Sequence, residues 1–128
     1  KHPLFVLIDP TGLQVKKRTI EKIVDLQNRK DIMFNYILEA VRRTSGVARK
    51  ARRREGLTIK EIKTIETLQN FIGEDINFID KSDIETLKEY CFIFTSKNLR
   101  VVAYDVKYPD REDILYYLLF ATRKMSIT

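Results

Sequence analysis

The chain has one cysteine, one histidine and no tryptophan, with only four glycines and three prolines in 128 residues. A lone thiol, Cys91, cannot close an internal disulfide, and one cysteine with one histidine cannot form a cysteine-rich zinc site. Free thiol usage of this kind points to a reducing, intracellular setting, so the expected location is cytoplasmic. No apolar run approaches the roughly 20 residues of a membrane span, and no membrane partner is expected. A phosphate-cradling glycine loop, a Ser-His-Asp set and a metal-ligand cluster are all missing from the residue pattern. No metal ion is therefore expected.

What remains is an ordinary globular composition. Hydrophobic residues make up 44% and charged residues 33% of the chain, enough for one packed domain over residues 1–128. The net charge of +6 suggests an anionic partner, with nucleic acid the leading class.

The pattern starts with Leu4 to Ile8, five apolar residues that read as a strand buried on both faces. Asp9, Pro10, Thr11 and Gly12 follow as a sharp turn. In open α/β sheets the ligand crevice lies outside the carboxyl ends of the strands, which places Asp9 at the edge of any site. Its carboxylate could accept from an amine or a ribose hydroxyl, or could simply bond the backbone of a β-turn. Val15 to Gln27 carries apolar residues at helical spacing, with Thr19 as the expected cap and Glu21 in the first turn. Asp31 to Ile37 reads as a second buried strand. Strand, helix and strand at this spacing form a βαβ unit with parallel strands, which brings Asp9 and Asn35 to one edge.

Glu39 to Glu55 breaks the rhythm. Arg42, Arg43, Arg49, Lys50, Arg52, Arg53 and Arg54 crowd a stretch with few large apolar residues, interrupted by Gly46. A short helix or loop followed by a mobile basic segment over residues 42–56 is expected. These cations could neutralise phosphates non-specifically, although no aromatic is interleaved to stack bases, and a solvated charged loop is the plainer explanation. Thr58 with Glu61, and Ser82 with Glu85, have capping-box spacing. The first pair opens a helix with Ile59, Ile62, Ile65, Leu68 and Ile72 on one stripe, stopped at Gly73. Ile76, Phe78 and Ile79 then form an apolar connection.

The second pair opens a helix with Ile84, Leu87, Tyr90, Cys91 and Phe94 to about Lys97; a strand over Tyr90 to Thr95 is the alternative. Leu99 to Tyr108 and Ile114 to Arg123 close the chain as an antiparallel hairpin, since so short a connection joins only antiparallel neighbours. Asp105 and Lys107 have the spacing of a nuclease metal element but read as a solvent-facing edge pair. His2 is expected to be exposed and idle, and Cys91 to be a packing residue.

The stretch from Phe5 to Val15, with Thr19 and Ile20, resembles the three-Cys-motif partner protein family, in which a strand ends in Asp-Pro-aromatic-Gly. The similarity extends through Asp31 to Asn35, Arg42 and Arg43, Asn70 to Gly73, and Tyr116 to Arg123. Thr11 stands where the family has an aromatic residue. The resemblance implies a class I, Rossmann-like methyltransferase sheet that uses S-adenosylmethionine. Asp9, Pro10 and Gly12 would then form the substrate-side catalytic loop after the fourth strand, with Asn35 ending the fifth. The family's glycine-rich cofactor motif has no match here. The expectation is therefore the carboxyl-terminal half of a larger enzyme, with a methyl acceptor that could be nucleic acid. That half would pair through its exposed first strand, either as a homodimer or with a missing amino-terminal half. A non-catalytic nucleic-acid-binding or interaction domain is the competing expectation.

Overall fold

The computed structural model describes residues 2–10, 12–52, 56–73 and 81–123. In chain order these form β1 (Leu4–Ile8), α1 (Lys17–Val24), β2 (Lys30–Tyr36), α2 (Leu38–Arg52), α3 (Ile59–Ile72), α4 (Asp83–Thr95), β3 (Leu99–Lys107) and β4 (Ile114–Arg123). The strands make one mixed sheet in the order β1-β2-β4-β3. β1 and β2 run parallel with α1 as their crossover, while β4 lies antiparallel to both β2 and β3. The class is α/β. The parallel pair and closing antiparallel hairpin agree with the sequence pattern, and β4, the most apolar run, takes an interior position.

Side chains alternate across a strand, so the register assigns every residue to a face. Val6, Ile32, Phe34, Tyr36, Leu119 and Ala121 point toward the helices and belong to one core with Ile20, Val41, Leu68, Phe71, Tyr90 and Phe94. Phe34 and Tyr36 meet Phe71 and Tyr90 in an aromatic knot, with ring centroids 5.0 to 6.3 Å apart. The opposite face carries Phe5 and Leu7 on β1, Met33 on β2, Leu118 and Phe120 on β4, and Val102 and Tyr104 on β3. Leu7, Met33, Phe120 and Val102 form one continuous row across all four strands. Phe5 is 64% exposed, Leu7 61% and Tyr104 58%, so this apolar face stands open. The expectation that β1 is buried on both faces is corrected. All of its helical cover lies on the side that α1 crosses.

Local chemistry accounts for the helix ends. Both capping boxes form: Thr58 and Glu61 exchange bonds of 3.0 and 3.1 Å, and Ser82 and Glu85 exchange bonds of 3.2 Å. Donation from the Ser82 backbone and hydroxyl holds the Glu85 carboxyl below its usual range. Gly73 ends α3 at φ 99°, where a side chain would be strained, and Asn98 takes a left-handed turn after α4. Thr19 is not a cap. The extended backbone ends at Lys16, so Thr19 sits inside α1 and its amide bonds the Lys16 carbonyl at 3.0 Å.

The largest departure is α2, which runs unbroken through Gly46 where a short helix or loop and a basic segment were expected. Its buried stripe is Ala40, Val41, Ser45, Ala48 and Ala51. Small residues let α2 approach α3 closely, and a search for large apolar residues passes over them. On α3 the expected stripe is buried only in its carboxyl half. Leu68, Phe71 and Ile72 are buried, whereas Ile59 is 75% exposed. On α4, Ile93 and Thr86 are buried in place of Ile84, and the helical reading of Tyr90 to Thr95 holds. Ile76, Phe78 and Ile79 lie outside the described residues.

These placements separate two substitutions of similar chemistry. Phe71→Ala is expected to cost about 3–5 kcal/mol in urea unfolding, because it opens a cavity in the aromatic knot. Ile59→Ala should change stability by less than about 0.5 kcal/mol. A large loss at Ile59 would contradict its exposed position.

Candidate functional site

The carboxyl ends of β1 and β2 bring two sequence-predicted residues together. Register places Asn35 beside Asp9, and the Asn35 side-chain amide donates to Asp9 Oδ1 at 2.9 Å. Asp9 is exposed, on the same side of the sheet as Phe5 and Leu7. Asn35 is half-buried, and its own Oδ1 is out of contact with water without a hydrogen-bond partner. The amide is therefore held by the sheet and in turn holds the carboxylate. Among the described residues no donor reaches the second Asp9 oxygen, which suits it to an N–H or O–H group at the sheet edge.

Pro10 sits half-buried behind Asp9, consistent with a stiff exit from the strand. Gly12 donates its amide to Gln14 Oε1 at 2.9 Å. A Cβ at Gly12 would meet the Gln14 side chain at 3.7 Å, which is ordinary contact, so neither space nor backbone strain requires glycine there. Thr11 lies outside the described residues.

The predicted cations do not all remain available. Arg42 pairs with Asp83 at 3.0 Å and Arg43 with Glu39 at 3.0 Å. Arg49 is also engaged, Lys50 is exposed on α2, and Arg52 is the last residue of the helix. Arg53 and Arg54 lie outside the described residues. Exposed pairs of this kind contribute little to stability, but they reduce the field that α2 presents.

The sequence reading missed a group on the helix side of the same edge. Tyr36 and Tyr90 are fully buried with unpartnered hydroxyls, and burial pushes both phenols far above their usual range. Burial also raises the Tyr117 phenol, with the Asp105 and Asp83 carboxylates adding to the shift. The signal available was alternation: counting in twos along β2 separates Asn35 from Tyr36. Asp105 and Lys107 lie exposed on the edge strand β3, and Lys107 pairs with Glu112 at 3.0 Å. His2 is exposed.

Two surface hollows lie away from Asp9. One of about 410 Å³ runs between α1 and α4, and one of about 470 Å³ sits at the amino edge beside Arg29, Lys30 and Arg123. One of these cations has structural work. Buried Lys30 donates to the carbonyls of Val24 at 3.0 Å and Leu26 at 2.6 Å, which complements the negative end of α1. Among the described residues no group of three metal-ligating side chains converges, and no helix is long and apolar enough to cross a membrane.

Comparison with protein-family models, with curated proteins and with solved structures finds no match to this chain. The α/β assignment stands on topology and register alone.

Cys91 provides a direct probe of the helix packing. It is partly buried on α4, and burial pushes its thiol up from 9.0 to about 11. A group whose pKa rises on folding adds stability below its unfolded pKa and loses that contribution as pH climbs through the folded value. Stability should therefore decline between pH 9 and about 11, and thiolate absorbance should titrate near 11. In Cys91→Ala the thiolate signal and that part of the decline should both vanish.

Proposed function

We propose that this chain is the acceptor-side half of a Rossmann-like, S-adenosylmethionine-dependent methyltransferase of the three-Cys-motif partner type. The observation that carries the reading is the Asn35–Asp9 bond of 2.9 Å, at the carboxyl edge of a parallel pair whose next neighbour is antiparallel. That edge is where α/β sheets take their ligands, and a carboxylate with one oxygen unpartnered among the described residues suits an acceptor amine or hydroxyl. Asp9 binds and orients the acceptor; Asn35 is a positioning residue that acts through Asp9.

The residues present do not fit the cofactor itself. The turn from β1 to α1 carries Gly12 without the left-handed backbone of a close-approach loop, and neither it nor the connection from β2 to α2 offers a glycine-rich turn. No step is assigned to S-adenosylmethionine on this chain. The cofactor is expected to enter with another segment.

Methyl transfer by an assembly containing this chain, read as tritium moved from S-adenosylmethionine to extract nucleic acid or protein, should fall at least about a hundredfold in Asp9→Ala. Asn35→Ala should lower it less. Undiminished transfer in Asp9→Ala removes the assignment.

The competing reading is a non-catalytic nucleic-acid-binding module that works through α2. It predicts duplex binding with a steep salt dependence that weakens in Arg49→Ala/Lys50→Ala. The ion pairs of Arg42 and Arg43 count against it. Weak duplex binding, unchanged by that double substitution, is the expected result.

A further inference from the structure

The hollow of about 470 Å³ at the amino edge of the sheet is lined by Arg29, Lys30, Lys97 and Arg123, against one carboxylate, Asp25. Asp25 is already paired with Lys97 at 3.0 Å. Among the described residues no carboxylate pairs with Arg29 or Arg123, and both side chains are exposed. The cluster is a product of the fold. Arg29 and Lys30 stand at the start of β2, Lys97 just beyond α4 and Arg123 at the end of β4. Register sets Ile32 opposite Ala121, so Lys30 and Arg123 stand level at the edge, and alternation turns both toward the helices.

Lys30 gives the hollow a charged floor. It is only 8% exposed, and its ammonium donates to the Val24 and Leu26 carbonyls. Two of its three N–H donors are thereby used, and no carboxylate among the described residues bonds it. A buried cation held by dipoles alone is only partly compensated, and an anion drawn into the hollow offsets it.

The carboxyl ends of α1 and α4 open on the same hollow, and bare carbonyls there would repel an anion. They are covered. The last α1 carbonyls accept from the amides of Asp25 and Leu26 as well as from Lys30, and those of α4 from the amides of Ser96, Lys97 and Asn98.

Size and surroundings narrow the ligand. The volume lies in the range of roughly 300–1,000 Å³ that small molecules occupy. The adjoining hollow between α1 and α4 reverses the balance, with Glu21, Asp25 and Glu89 against Lys17 and Lys97. A long polyanion running on from the cations into that hollow would meet carboxylates. A compact anion would not.

We propose that the hollow at the amino edge is a binding site for a compact phosphate-bearing anion, a phosphate monoester or a pyrophosphate group. The Arg29 and Arg123 guanidiniums hold its oxygens above the Lys30 ammonium. Arginine suits this role because its planar fork meets two phosphate oxygens at once. Lys30 and Asn35 lie near opposite ends of β2, roughly 17 Å apart at about 3.3 Å per residue. The site is therefore separate from Asp9, and it does not rest on the methyltransferase reading.

The test is calorimetric titration of the full chain with pyrophosphate at fixed ionic strength, which screens diffuse attraction equally in every variant. One equivalent should bind. Arg29→Gln/Arg123→Gln should keep the circular dichroism of the parent and weaken binding at least tenfold. Lys60→Gln/Lys63→Gln, which removes the same charge from the exposed side of α3, should leave it unchanged. In the unsubstituted chain, the amide resonances of Arg29, Lys30 and Asn98 should shift saturably with pyrophosphate, and those of α3 should not. Equal weakening in both double variants, or shifts without saturation, would reduce the cluster to diffuse charge and overturn the proposal. A DNA duplex that binds through the same two arginines and resists displacement by pyrophosphate would assign the cluster to a polymer backbone and overturn it as well.

Discussion

The structure depends on the packing of Phe34 and Tyr36 against Phe71 and Tyr90. β2 is an interior strand, and these two side chains carry its helix-facing side into contact with α3 and α4. Phe71 and Tyr90 stack at 5.0 Å, so the two helices are fixed to each other as well as to the sheet. Because alternate residues on a strand face opposite ways, seating Phe34 and Tyr36 in the core forces Met33 and Asn35 to the other side. The same contact that closes the core therefore sends Asn35 toward Asp9 and leaves the second face open.

This constraint links fold to chemistry. Asn35 is held between two well-packed aromatics, so its amide has little freedom and Asp9 receives a fixed partner. The hydroxyls of Tyr36 and Tyr90 are costly to bury without partners, and rigidity of this sort is often kept where a neighbouring position must be exact. Lys30 shows the same economy at the other end of β2, where one buried ammonium satisfies two carbonyls at the end of α1.

Much of the fold was legible in the residues, for local reasons. β1 and most of β4 are continuous apolar runs and β2 has an apolar centre, the two capping boxes announce α3 and α4, and the short hairpin connection dictates antiparallel neighbours. The candidate site was legible to the same depth: a right-handed βαβ unit must bring the ends of its two strands together, so Asp9 and Asn35 could be paired without coordinates. Less legible was α2, whose buried side beyond Leu38 and Val41 is made of alanine and serine. The pairing of Arg42 with Asp83, 41 residues away, was equally hidden, and it changes how the basic segment is understood.

By itself the sequence determined the order and type of nearly every element, the parallel pairing of the first two strands and the meeting of Asp9 with Asn35, because each follows from periodicity, capping or connection length. Tertiary structure alone decided which face of each element is buried. Ile59 and Phe71 both look like core residues, and so do Leu7 and Phe34, yet only one of each pair is covered. Burial depends on what lies opposite in space, and for Phe5, Leu7, Met33 and Phe120 nothing among the described residues lies opposite.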